Sequence, residues 1–185
     1  FNIPKLYKDG YEADDVVGTL AKKAEKAGFQ VYMMTSDKDF AQLVSENIFM
    51  YRPGNKWQAT AVWGIPEVLE KFDIQRIDQV IDYLGMMGDT ADNIPGIPGI
   101  GKKTAQKFIK EYGSMEGLFA NSNELKGKMK ENVEASEEIG LLCKKLVTII
   151  TDVPIEFDSE KMLLVPKNEE KIISLFEELE FKTIL

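Results

Sequence analysis

The chain has 185 residues, of which 44% are hydrophobic and 29% charged, an ordinary composition for a globular protein of one good-sized or two small domains. It contains no histidine and a single cysteine, Cys143, which excludes Ser-His-Asp and Cys-His nucleophiles, histidine-ligated zinc, CxxC zinc sites and internal disulfides. Any hydrolysis must therefore rely on carboxylates, lysines and hard cations. The net charge of −8 disfavours a nucleic-acid partner unless positive charge is concentrated locally.

The first 62 residues alternate between helical and strand patterns. Apolar residues recur at helical spacing over Ala13–Ala27. The short aromatic and β-branched run Phe29–Met34 predicts a buried strand, and Ser36 predicts the cap of a brief helix over Asp37–Val44. Further strands are predicted over Asn47–Arg52 and, after a turn at 53–55, Trp57–Val62. This alternation is typical of one part of an α/β domain.

The remainder of the chain is predicted to be mainly helical. Amphipathic or capped helical segments are Ile65–Phe72, Arg76–Met87, Lys102–Tyr112, Ser114–Ala120, Asn132–Leu146 and Lys167–Leu179. The mixed, Pro-bounded segment Thr148–Pro166 predicts either a linker or a pair of strands. The sequence has no internal repeat and no low-complexity tract.

Three clusters of acidic residues stand out along the chain. Their members are Glu12, Asp14 and Asp15; Asp37 and Asp39; and Asp89 and Asp92. Each cluster alone has a structural explanation, because acids favour the first turn of a helix and also occupy caps and turns. However, the first cluster opens a helix that leads into the first strand, and the second lies at that strand's carboxyl end, where open α/β sheets bind ligands.

Seven carboxylates in one cleft could not all stay ionised without counter-charge. Hard divalent cations such as Mg²⁺ or Mn²⁺ supply that charge, and they prefer oxygen ligands. Two such ions about 4 Å apart are a common device for phosphodiester hydrolysis. The clusters therefore predict a two-metal hydrolytic site.

The glycine-rich segment 94–104 has two functional interpretations. It matches the phosphate-binding pattern G-x-x-x-x-G-K, but Lys103 stands where that loop needs Ser or Thr and no apolar strand precedes Gly96. The preferred interpretation is a helix-hairpin-helix turn, whose glycines and following helix start bind a phosphate. Residues 101–130 carry seven lysines against three acids, a local charge of about +4 that suits DNA. A plain rigid turn with solvated lysines is the alternative.

The motifs YEADD, TSDKDF and MGDTADNIPGIPGIGKKTA, in this order and spacing, closely resemble the 5′-nuclease (5′→3′ exonuclease, flap endonuclease-like) domain of bacterial DNA polymerase I. The resemblance runs from about residue 3 to 155. It implies a partial PIN-like α/β nuclease domain with few strands, followed by a mostly helical helix-hairpin-helix region. The expected boundaries are 1–90 for the catalytic part, 91–150 for the DNA-binding part and 151–185 for a linker toward a next polymerase domain.

The resemblance also implies roles for individual residues. Acids matching those around a first metal are Glu12, Asp14, Asp15 and Asp37, and those matching a second metal are Asp39, Asp89 and Asp92. The catalytic set is Asp37, Asp39, Asp89 and Asp92. The DNA-binding set is Gly99, Gly101, Lys102, Lys103, Thr104 and Lys107, and the family also binds a monovalent cation, K⁺, at this hairpin through backbone oxygens.

The family acts on duplex DNA with a 5′ flap or an RNA primer, in replication and repair, with the rest of the polymerase in cis. A cytoplasmic location in bacteria is expected, without a membrane span, and Cys143 is expected to be an inert core thiol. The chain begins without an initiator Met, and the family has a further amino-terminal part with more metal-binding aspartates and a basic helical arch. We therefore expect this chain to bind divalent metal weakly and to cleave poorly or not at all.

Two other functions remain open at this point. One is a non-catalytic helix-hairpin-helix DNA-binding module whose acids are structural. The other is a toxin-like RNA nuclease of related acidic-cleft design, which gives no reason for the lysine-bearing hairpin.

Overall fold

The computed structural model describes residues 1–54, 56 and 59–181. The helices are α1 (Ala13–Lys26), α2 (Ile65–Phe72), α3 (Gln79–Met87), α4 (Lys102–Tyr112), α5 (Met115–Ala120), α6 (Gly127–Ala135), α7 (Glu137–Leu146) and α8 (Glu169–Glu178), with 3₁₀ helices at Lys38–Leu43 and Ser122–Glu124. The strands are β1 (Val31–Met34), β2 (Ile48–Arg52) and β3 (Ala61–Trp63). The predicted class, a small α/β part followed by a helical part, is confirmed.

The three strands form one sheet in the order β1-β2-β3. Strands β1 and β2 are parallel, with Val31 opposite Ile48, whereas β2 and β3 are antiparallel, with Met50 opposite Trp63. The parallel pair places the carboxyl ends of β1 and β2 at one edge of the sheet. The third strand begins later than predicted, and Trp57 and Gln58 lie outside the described residues.

The prediction of a buried first strand is wrong. In β1 only Met33 is buried, while Tyr32 and Met34 are 52% and 73% exposed. Among the described residues β1 pairs with β2 on one side alone, so it is an edge strand with one face packed and the other facing solvent. The ring of Tyr32 stacks on that of Phe49, 5.3 Å between centroids.

Two local predictions also need correction. The brief helix after β1 is a 3₁₀ helix capped by Asp37 rather than Ser36, because the Asp37 carboxylate accepts the Asp39 N–H at 3.0 Å. The predicted helix Asn132–Leu146 is two helices, α6 and α7, that meet at Ser136, which is buried. After the break, α7 packs against α3.

Close contact between α3 and α7 sets the core of the helical part. A Cβ on Gly85 would lie 2.8 Å from the Cα of Lys144, so the two backbones touch. The Lys144 ammonium donates to Asp82 at 2.6 Å and to Glu116 at 2.8 Å, and Asp82 also accepts the Met115 N–H. This network connects α3, α5 and α7. Cys143, fully buried beside it, is confirmed as a core thiol.

The segment 148–166 contains no strand or helix in the structure. Its first part lies along α1, where the buried Thr19 hydroxyl donates to the Ile150 carbonyl and accepts the Val153 N–H. Farther on, the Lys23 ammonium donates to the Ile155 carbonyl. No helix in the described ranges is long and apolar enough to cross a membrane.

Candidate metal centre

The three acidic clusters meet in space. A cavity of about 340 Å³ is lined by Glu12, Asp14, Asp15, Asp37, Asp39 and Asp92. The seventh acid, Asp89, joins them because one carboxylate oxygen from each of Asp39, Asp89 and Asp92 lies within 4.8 Å of the others. Residues 77 positions apart in sequence, Glu12 and Asp89, thus border one centre.

Each cluster is positioned by the start or end of a regular element. The first lies at the beginning of α1, and the second follows β1 at the carboxyl edge of the sheet. The third lies on a tight turn in which Asp89 and Ile94 exchange two backbone hydrogen bonds of 2.7 and 2.8 Å. Helix α1, strand β1 and this turn therefore direct their acids to one place.

Asp39 is the most perturbed of the seven. The pKa of Asp39 is raised to about 6. Burial is the largest cause; the positive charge of Lys38 opposes it, and the negative charges of Asp37, Asp89 and Asp92 add to it. Its Oδ1 atom is buried and accepts no hydrogen bond within the described part of the chain. A buried carboxylate oxygen without a donor is costly unless a cation occupies the adjacent position.

Asp14 shows the same crowding of charge. Burial raises the pKa of Asp14, and repulsion from Asp37, Glu12, Asp15 and Asp92 raises it further. Acids from all three clusters thus act on a single carboxyl group, which is the electrostatic signature of a site that requires counter-charge.

Lys38 supplies part of that counter-charge. Its ammonium donates to Asp89 and lies 3.7 Å from Asp39 Oδ1. The hydrogen bond from Lys38 lowers the pKa of Asp89, and the Ala91 N–H, which donates to the same carboxylate at 2.8 Å, lowers it as well. One lysine neutralises only a small part of seven acids.

Asp15 has a structural role. One of its oxygens accepts the Glu12 N–H at 3.3 Å and the other accepts the Ile150 N–H at 2.8 Å. It therefore stabilises the start of α1 and holds the first part of segment 148–166 against it. Asp37 likewise caps the 3₁₀ helix.

The donor set fits a hard divalent cation. All the side chains offered are carboxylates, the trio around Asp39 converges from two elements, and the cleft is open enough to retain water.

The glycine-rich segment forms the connection between α3 and α4. Gly101 is the N-cap of α4, and the first amides of a helix have no acceptor within the helix. The predicted DNA-binding residues here are exposed apart from Thr104, which is half-buried: Gly99, Gly101, Lys102, Lys103, Thr104 and Lys107. The hairpin is thus a solvent-facing surface of amides and ammonium groups.

Sequence reasoning missed several residues around the centre. Lys38 lies between two predicted ligands, so its position in the motif was the available signal. Val147, Thr148 and Ile149 form a wall of the acidic cavity, yet nothing in their local sequence indicates it. Lys102, predicted only as a hairpin residue, lines a second cavity together with Asp37 and Lys38.

Comparison with known families covers most of the chain. Residues 1–73 match the family described as 5′-3′ exonuclease, N-terminal resolvase-like domain, and residues 75–170 match 5′-3′ exonuclease, C-terminal SAM fold.

Individual relatives agree with the family matches. A DNA polymerase I of Rhizobium leguminosarum is 40% identical over all of this chain, which spans 18% of that protein, and a 5′-3′ exonuclease of Aquifex aeolicus is 38% identical over 99% of this chain and 61% of its own length. Among solved structures, a bacteriophage T5 flap endonuclease in complex with DNA and metal ions superimposes with a TM-score of 0.69 at 25% identity, over 80% of this chain and 53% of the phage protein.

Proposed function

Because the chain belongs to the 5′-3′ exonuclease family, we propose that it forms part of a metal-dependent 5′ nuclease that hydrolyses phosphodiester bonds at 5′ flaps or ends. The chain spans about a fifth of the length of its DNA polymerase I relative. The polymerase in cis, replication and repair as the setting, RNA primers as substrates and a bacterial cytoplasmic location belong to the same proposal.

A single observation carries the proposal. Seven carboxylates from three segments converge, and one of their oxygens, Asp39 Oδ1, is buried without a donor. Structural capping alone gives no reason for a buried carboxylate oxygen that accepts no hydrogen bond and has the Lys38 ammonium only at 3.7 Å.

The acids are assigned to two metal positions and one structural role. Asp39, Asp89 and Asp92 hold one Mg²⁺ or Mn²⁺, while Glu12, Asp14 and Asp37 hold the other directly or through water. Asp15, occupied by two backbone amides, positions the start of α1 beside them. When bound, a pair of such ions supplies an activated water and stabilises the leaving oxygen.

The hairpin between α3 and α4 holds the duplex. Its exposed glycines admit a backbone phosphate to the amides at the start of α4, and Lys103 and Lys107 add sequence-independent attraction. A K⁺ ion at the hairpin is part of this proposal. In sequence the hairpin follows the acidic centre directly, since Asp92 and Gly101 belong to the same α3–α4 connection.

One alternative has specific support. Asp15 and Asp37 both accept backbone N–H groups, as expected of structural acids in a non-catalytic helix-hairpin-helix module. That alternative leaves Asp39 unexplained.

Metal titration tests the proposal. Mn²⁺ binding to the 185-residue chain, followed by isothermal calorimetry and by EPR of free Mn²⁺, is expected to be saturable and to be lost in Asp39→Ala and Asp89→Ala. Asp152→Ala, an exposed acid outside the centre, is the matched control. If the Asp39 and Asp89 variants bind Mn²⁺ as the control does, the structural alternative holds.

A further inference from the structure

A second cavity, of about 460 Å³, lies beside the acidic one and shares Asp37 with it. It is bounded by the end of β2, by β3, by α2 and α3, and by the start of α4. Its charged and aromatic wall, which we call the cation-aromatic pocket, consists of Lys38, Arg52, Lys71, Lys102, Trp63 and Tyr83. Four cations therefore line one cavity of a chain whose net charge is −8.

Three of these cations have no acidic partner. Among the described residues, no carboxylate forms an ion pair with Arg52, Lys71 or Lys102. By contrast, Arg76, the other arginine of the chain, pairs with Asp78 at 3.0 Å. Unpaired cations that converge on a cavity predict an anion there.

Arg52 is held in place. Its guanidinium lies 4.0 Å from the centre of the Trp63 ring, and one Nη donates to the Ser36 carbonyl at 3.1 Å. The Lys71 ammonium lies 5.8 Å from the same ring. The stack fixes the plane of the guanidinium and leaves other N–H groups available to a planar or tetrahedral anion.

Tyr83 adds a polar atom. The residue is 4% exposed and its ring packs edge-on against Phe72 at 5.2 Å, yet its hydroxyl makes no hydrogen bond to any part of the chain that the structure describes. Tyr83 is buried as a residue, but its hydroxyl is not among the buried polar atoms that lack a partner; at the cavity wall it is suited to hydrogen-bond a ligand inside the cavity.

We propose that the cation-aromatic pocket binds one nucleotide of a nucleic-acid strand, next to the metal centre. Arg52, Lys71 and Lys102 hold the phosphate, the Tyr83 hydroxyl hydrogen-bonds the nucleotide, and the base packs against the Arg52–Trp63 stack. The ligand chemistry, a phosphate beside an aromatic base, rests on the pocket alone. The further step, that this nucleotide belongs to a strand whose next phosphate lies at the metal centre beside Asp37, rests on the proposed function.

The test is a fluorescence titration in EDTA, so that the metal centre takes no part. Substitution Trp57→Phe leaves Trp63 as the only tryptophan. Three probes are compared: inorganic phosphate, deoxyadenosine monophosphate and a single-stranded hexanucleotide. We expect Kd to fall in that order, and Arg52→Ala and Lys71→Ala to raise Kd for the hexanucleotide about tenfold or more. Arg76→Ala is the matched arginine control.

The outcomes separate this inference from the proposed function. If Arg52→Ala and Lys71→Ala both bind the hexanucleotide as Arg76→Ala does, the pocket is not a nucleotide site. Equal affinity for phosphate and hexanucleotide also overturns the inference, since an anion alone would then suffice. If the pocket binds the nucleotide but the acidic centre does not bind Mn²⁺, the proposed function is wrong while the pocket remains a nucleotide site. Lys71 is exposed on α2, so its substitution tests the site even if Arg52→Ala does not fold.

Discussion

Gly88 and Gly96 lie back to back in the connection between α3 and α4. A Cβ on Gly88 would lie 2.7 Å from the Gly96 nitrogen, and a Cβ on Gly96 would lie 2.6 Å from the Gly88 nitrogen. Both residues also have positive φ, 73° and 65°. The turn that carries Asp89 and Asp92 therefore closes only if both positions lack a side chain.

Substitution Gly96→Ala is expected to lower stability and to disturb the acidic centre together. Positive φ costs about 1–2 kcal/mol for alanine. The contact of the new Cβ with the Gly88 nitrogen adds to this cost, because the atoms it meets belong to the backbone and cannot move aside as a flexible side chain would. Gly113→Ala is the matched control, because Gly113 has φ 79° with nothing within 4 Å of its Cβ. Thermal unfolding and Mn²⁺ titration measure the two effects. Equal Tm values for both variants would show that the back-to-back contact is dispensable.

Asp39→Asn is expected to stabilise the metal-free protein at neutral pH. The folded pKa of Asp39, about 6, lies above its ordinary value of 3.8, so the folded chain binds this proton more tightly than the unfolded chain does. Stability associated with this group is therefore fully present below pH 3.8 and is lost as pH rises through about 6. The asparagine side chain does not ionise, so Asp39→Asn removes this loss of stability at neutral pH.

Melting in EDTA at pH 7.5 and at pH 4 measures the effect. We expect Asp39→Asn to raise Tm at the higher pH and to change it little at the lower pH, while the exposed control Asp152→Asn changes neither. With saturating Mn²⁺ the order should reverse, because only the carboxylate gains from the cation. If Asp39→Asn melts below the wild type at pH 7.5 in EDTA, the ionised Asp39 carboxylate does not destabilise the metal-free protein and the prediction is wrong.

The acidic centre was predictable from sequence for physical reasons. Glu12 opens a helix and Asp39 follows a strand, and such positions collect at one edge of an open sheet, whereas Asp89 was placed with them by the order of the motifs. The residue roles came from the order and spacing of whole motifs and remain predictions, as do the domain boundaries.

Other features escaped prediction because they depend on distant packing. Buried positions continue at helical spacing through Val133, Ser136, Gly140 and Cys143, so periodicity conceals the break between α6 and α7. The exposure of β1 depends on what covers it, which its apolar composition does not reveal. The approach of Arg52 to Trp63 follows from the β2–β3 register, which local sequence does not encode.

Lys144→Met is expected to destabilise the fold by about 3 kcal/mol. It would leave Asp82, 4% exposed, without the ammonium that offsets burial of its carboxylate. Burial raises the pKa of Asp82 while the Lys144 hydrogen bond lowers it, so removal of the lysine leaves the desolvation uncompensated. Urea unfolding measures the loss. Lys145→Met is the control one residue away, on the exposed side of α7, and equal midpoints for the two variants would mean that the network contributes nothing.

DNA binding is expected to depend on Lys103 and Lys107 and to outlast loss of the acidic centre. These ammonium groups border a groove on the exposed face of α4, and each phosphate contact releases about one counterion. The double variant Lys103→Ala, Lys107→Ala should therefore weaken duplex binding regardless of sequence and reduce the slope of log K against log salt by about two. The control double variant Lys26→Ala, Lys171→Ala makes the same change in net charge on α1 and α8 and should leave the slope unaltered.

Asp39→Asn, measured by anisotropy in EDTA, should bind duplex DNA at least as tightly as the wild type, since it removes a negative charge near the phosphates. A double hairpin variant with the slope of its control would place the duplex elsewhere on the molecule.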